Sequence, residues 1–239
     1  MSLTLRRAAI GTAAVALALG GCGLAGDTLR PGLAAQVGDT EISLDRVDDA
    51  ATDLCDMITE LAKDGNVSAV PGAAVRDNAL QFTVLRELAD QLAEEYDVAP
   101  GGLYRDSREQ QQAELSELGV DSGLLDDLLP TITAPNYFGD IVQQIGQREL
   151  GLSAEEDTQG QGIEEGLRIA REWEAEHGLE VNPRFSDMSI GELGAFLETD
   201  VQELSVPVSD FAKQAAEGVD AQNSDSTYAD SLPDSQRCG

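Results

Sequence analysis

Histidine, cysteine, aromatics and positive charge are all scarce in this chain. One histidine, His177, and three cysteines occur in 239 residues. Zinc sites built from His and Cys, and catalytic triads needing a His and a Cys, have almost no material. Aromatic residues are 4% of the chain, too few for stacking platforms or broad aromatic-lined pockets. Fifteen Lys and Arg face 45 Asp and Glu, a net charge of −30, which repels phosphate and excludes nucleic acid as a partner. No G-x-S-x-G, P-loop or dinucleotide motif is present. No EF-hand spacing appears either: Asp220, Asp225 and Asp230 lack the central glycine and closing glutamate of a calcium loop. Adjacent carboxylates such as Glu94-Glu95, Asp126-Asp127, Glu155-Glu156 and Glu164-Glu165 point about 100° apart on a helix and do not converge as acid–base pairs. Glu172, Glu176 and His177 would need ligands from elsewhere to hold a metal. The composition thus gives no catalytic residue, no metal site and no cofactor, and the chain reads as a non-enzyme.

What is present begins at the N-terminus. Arg6 and Arg7 precede an apolar run from Ala8 to Leu19 that would be about 18 Å long as a helix, too short to span a bilayer. The run ends in Leu19-Gly20-Gly21-Cys22. This resembles the bacterial lipobox, in which the cysteine is acylated and becomes the first residue of the mature chain. The resemblance implies a signal peptide over residues 1–21, lipidation at Cys22, a tether over 22–33, and an extracytoplasmic domain held to the cell membrane by lipid. Cys55 and Cys238 remain. In an oxidising compartment the pair invites a disulfide; alternatively both stay free, with Cys55 packing on an apolar helix face.

The rest of the chain reads as mainly α. Gly38-Asp39 is a turn between two short extended pieces, and Ser43 is an N-cap. Over residues 44–62, Leu44, Val47, Ala51, Leu54, Ile58 and Leu61 recur at helical spacing opposite Asp45, Asp48, Asp49, Asp53, Asp56 and Glu60. A helix over 73–96 is apolar on more than half its circumference and is expected at the centre of the domain. A polar helix over 103–118 follows, then a short one over 122–129 ending before Pro130, and one over 136–150 opened by Pro135. Residues 153–162 read as a flexible loop and 163–177 as a helix with Trp173 as a core anchor and Gly178 as its stop. Residues 179–185 are a strand candidate, 190–197 a small helix, and 212–239 a disordered acidic tail. The folded domain is therefore expected over 34–211.

The order of these pieces carries a second resemblance. Val37-Gly38-Asp39-Thr40-Glu41-Ile42-Ser43 matches a V-x-G-x-x-I-S opening strand, and Val181-Asn182-Pro183-Arg184-Phe185 matches a closing strand. In this arrangement the chain resembles the N-terminal chaperone domain of the SurA and trigger-factor type, and more closely the actinobacterial lipoproteins that carry such a domain. The resemblance implies a helical body completed by a short two-stranded pairing of residues 35–42 with 180–185. Only residues 150–163 separate the last two helices, where relatives often carry a parvulin domain, so prolyl isomerase activity is not expected. The expected function is a lipid-anchored chaperone-like protein binding unfolded or exported polypeptides. Its candidate apolar groove lies between Phe82, Leu85 and Leu92 and Phe138, Ile141 and Ile145. The alternative is a structural or regulatory envelope lipoprotein that binds one folded partner. An open cleft between those helices favours the first, a sealed core the second.

Overall fold

Ser43 starts the first helix as a side-chain cap: its hydroxyl accepts the Arg46 amide at 3.1 Å. From there a computed structural model describes a mainly helical protein with small antiparallel sheets. Residues 31–191, 196–200 and 226–239 are described. The signal peptide, Cys22 and most of the tether lie outside these residues.

Helix α1 spans Leu44–Lys63 and buries Val47, Leu54 and Leu61 at the spacing read from sequence. Helix α2, Gly72–Glu95, buries residues around a wide arc, from Val75 and Leu80 through Val84 and Leu85 to Leu88 and Leu92. It needs cover on two sides and receives it. Helix α1 and helix α4 (Ser122–Ile132) pack on one flank, helix α5 (Ala134–Leu150) on the other. Helix α3, Gly102–Glu117, is polar, buries only Tyr104, and lies over α4 and α5. Its N-terminus is fixed from α5, where the buried Asp140 carboxylate accepts the Gly101 amide at 2.5 Å.

Helix α6, Gln161–His177, forms the closest pair with α5. Glycines set that approach. A β-carbon on Gly146 would overlap the Gly162 carbonyl, and one on Gly166 would overlap the Val142 carbonyl. Helix α6 delivers strand β4, Leu179–Val181, onto strand β1, Leu33–Val37. Strand β2, Thr40–Ser43, lies on the other side of β1, so the sheet order is β2-β1-β4. Ala35 faces Val181 and Val37 faces Leu179. The pairing is narrower than residues 35–42 against 180–185, because Pro183 can give no ladder hydrogen bond. Gly38 turns the β1–β2 hairpin at φ +51°, and its amide donates to the Gly178 carbonyl at 3.0 Å.

Three expectations are corrected. Helix α4 does not stop before Pro130 but runs through it to Ile132. Pro130 falls in the last turn, where it removes one hydrogen bond, while Leu128 and Leu129 beside it are buried. The described ends of the expected helix over 190–197 are extended, while residues 192–195 lie outside the described residues. Strand β5, Asp187–Ile190, pairs with strand β6, Leu197–Asp200, with Ile190 opposite Leu197. Helix α6 holds the β5 end: the Glu174 carboxylate accepts the Ile190 amide at 2.9 Å, and Arg171 donates to the Gly191 carbonyl at 2.9 Å. The end of the presumed disordered tail is folded. Helix α7, Ser226–Ser231, a 3-10 turn, Asp234–Gln236, and strand β7, Arg237–Cys238, dock on the body. Strand β7 pairs with strand β3, Val70–Pro71. The acidic composition of residues 212–239 masked three apolar side chains, Ala229, Leu232 and Cys238, that are buried there.

Candidate functional site

The α2–α5 face meets the groove expectation with a closed interface. Leu85, Leu92, Phe138, Ile141 and Ile145 are buried, and Leu92, Phe138 and Ile141 expose no surface at all (0%). The ridges of α2 and α5 pack directly on each other, so these side chains form core and line no opening. Phe138 is also covered by Phe196, ring centroids 5.4 Å apart and edge-on. Of the six groove residues, Phe82 lines a cavity together with residues of α1 and α4.

That cavity is a cleft of about 220 Å³ between α1, α2 and α4. Phe82, Ala50 and Pro130 give it apolar lining, and Arg46, Asp49, Asp53 and Arg86 give it charge. The amphipathic pattern of α1 explains the acids: Asp49 and Asp53 stand one helical turn apart, on the border of its apolar stripe. The two arginines are held by acids of α2. Arg46 reaches Glu87 at 3.5 Å, and Arg86 Nε donates to Asp90 at 3.1 Å. Arg86 also lies 4.1 Å from the centre of the Tyr137 ring and 3.5 Å from the Tyr104 hydroxyl. Burial, with Asp90 beside it, pushes the Tyr137 phenol up to about 12. Asp53 has a raised pKa because burial disfavours its charge and Asp127, Asp56 and Asp49 add repulsion.

The cleft lining holds no histidine, cysteine or serine. Its hydroxyls are those of Thr83 and Thr131, and the Thr83 hydroxyl donates to the Ala79 carbonyl at 2.7 Å. Among the described residues no group of three or more His, Cys, Asp or Glu side chains is placed to hold a metal ion, and no helix is long and apolar enough to cross a membrane. The cleft can accept a charged or amphipathic side chain from outside.

His177 and Trp173 sit elsewhere. Their rings stack at 4.5 Å, the Trp173 indole N–H donates to Glu95 at 2.6 Å, and Glu95 lies 3.9 Å from His177. Trp173 also packs near Gly38. The cluster joins the ends of α2 and α6 to the β1–β2 turn, a structural role for both rings. Cys55 and Cys238 are bonded to each other, with Cα atoms 5.0 Å apart and a separation of 183 positions in sequence. Arg46, Arg86, Tyr104 and Tyr137 were not singled out in the sequence. The Arg86–Asp90 spacing of four residues was a usable signal. The approach of two tyrosines from α3 and α5 to that arginine left none. No protein-family model, curated protein or solved structure matches the chain.

Proposed function

We propose that this is a lipid-anchored envelope protein with a SurA N-terminal-like helical body, which binds one folded partner through its outer surface and performs no catalysis. The observation that carries the reading is the sealed α2–α5 interface. A holdase needs apolar surface open to unfolded chains, and on the α2–α5 face that surface is spent on the core. The pairing of β1 with β4 supports the SurA-like arrangement, since it closes a helical body with the strand that follows its last long helix. The Cys55–Cys238 bond supports an oxidising compartment, in agreement with the Cys22 lipobox. The α1 acids and the α1–α2–α4 cleft offer a partner a charged rim around a small apolar pocket.

The test uses residues 23–239 against a refolding, aggregation-prone protein followed by light scattering. No suppression at stoichiometric excess is expected, while crosslinking in the envelope joins the anchored protein to one species. Stoichiometric suppression would return the protein to the chaperones. Replacing Cys22→Ser is expected to release the chain from membranes, and retention would overturn the lipid anchor.

A further inference from the structure

The C-terminal segment from Ser226 to Gly239 is laid over one end of the helical body. Its helix α7 touches β3, and its strand β7 pairs with β3 and packs on α1 and α2. Beneath it lie the half-buried Val70, the buried Pro71 and the start of α2, where Gly72 allows the Gln236 carbonyl to approach. The Gly239 amide donates to the Thr59 hydroxyl at 3.2 Å, and Gly239 packs near Ile58 and Ala62.

The disulfide is the covalent tie of this segment to the body. Its buried apolar side chains are Ala229, Leu232 and Cys238, two of them small. The Arg237 ion pairs stay within the segment: Arg237 bonds Asp234 at 2.9 Å and lies 3.9 Å from Asp230. The β3–β7 ladder is two residues long. Ordering fourteen residues costs backbone and side-chain entropy. The covalent bond removes most of that cost by holding Cys238 on α1 at all times.

We propose that the Cys55–Cys238 disulfide is the latch of a C-terminal strap, closed when the bond is oxidised and open when it is reduced, so that the redox state uncovers or covers the Val70–Gly72 end of the body. A dithiol reductant opens it. One donor thiolate attacks the Cys55 sulfur, on the half-buried side of the bond, and the Sγ–Sγ bond breaks with Cys238 leaving as thiolate. The second donor thiol then displaces Cys55 from the mixed disulfide. Two electrons and two protons pass to the protein, giving two thiols, and the donor becomes a disulfide. This inference is independent of the proposed partner binding.

Hydrogen exchange on the purified full chain tests it, before and after reduction with dithiothreitol and after removal of the reductant in air. The non-proline amides of residues 69–72 and 229–239 are expected to exchange at least tenfold faster when reduced, with α5 and α6 unchanged, and to recover on reoxidation. Unchanged protection of the strap after complete reduction would overturn the proposal. So would loss of protection throughout the body, which would make the bond a staple of the whole fold. The paired variant Cys55→Ser, Cys238→Ser should reproduce the reduced pattern without any reductant, and strap protection equal to the oxidised wild type would overturn the latch.

Discussion

At the α5–α6 crossing two glycines decide the distance between helices. Gly146 and Gly166 are helical, and each meets backbone of the opposite helix where a β-carbon would have to sit. Backbone cannot swing aside as a side-chain tip does, so the helices would have to separate along their length and loosen Ile145, Leu167 and Ala170. Gly146→Ala is expected to lower unfolding stability by at least about 2 kcal/mol in urea titration, despite alanine's better helix propensity. Gly102→Ala is the control, because a β-carbon there meets nothing within 4 Å. It should stay within about 0.5 kcal/mol of wild type. Equal effects from the two substitutions would refute a tight crossing.

Between elements, Arg86 of α2, Tyr104 of α3 and Tyr137 of α5 form a clip that ties three helices together next to the cleft. Tyr137 also bonds Asp90, and burial with that carboxylate holds its phenol near 12 against an ordinary value of 10.0. A folded pKa above the unfolded one gives stability that is complete below pH 10 and lost as pH rises toward 12, because the unfolded phenol ionises first. Tyr137→Phe should therefore flatten the fall in urea stability between pH 10 and 12, and an unchanged slope would refute the assignment. Helices α1, α5 and α6 were legible because each carries its own punctuation: Ser43 before α1, Gly151 in left-handed conformation after α5, Gly178 after α6. The β5–β6 hairpin was not, since Ile190, Leu193 and Leu197 stand at helical spacing while Met188 and Ile190 alternate at strand spacing. The choice between the two is made by Glu174 and Arg171 on α6, far away in sequence. The cleft was legible only in pieces, as acids of α1 and Phe82 of α2. Whether Phe82 turned toward α5 or α1 depended on how three helices meet.

Over the whole molecule the dominant unpaired quantity is charge. A net −30 on 239 residues works against every compact state, because folding brings carboxylates together that the open chain keeps apart. The local sign of this is Asp53: burial raises its pKa, and Asp127, Asp56 and Asp49, from two helices, raise it further. The ion pairs do little against it. Arg168 is largely occupied with Glu165 and Glu172 of its own helix, and Arg237 with Asp230 and Asp234 of its own strap, while Arg46–Glu87 and Arg76–Asp48 join α1 to α2 on partly exposed surface where such pairs are worth little. Added salt screens that repulsion over about 10 Å at 0.1 M and should act on the folded form most. Raising sodium chloride from about 10 mM to about 500 mM is therefore expected to add about 1–2 kcal/mol of stability, read as a higher thermal midpoint. A protein held mainly by surface ion pairs would respond the other way, losing stability as those pairs are screened. A midpoint that falls with salt would mean that the pairs outweigh the crowding around Asp53, and that the acidity is structural in a way its placement on the outer helix faces does not suggest.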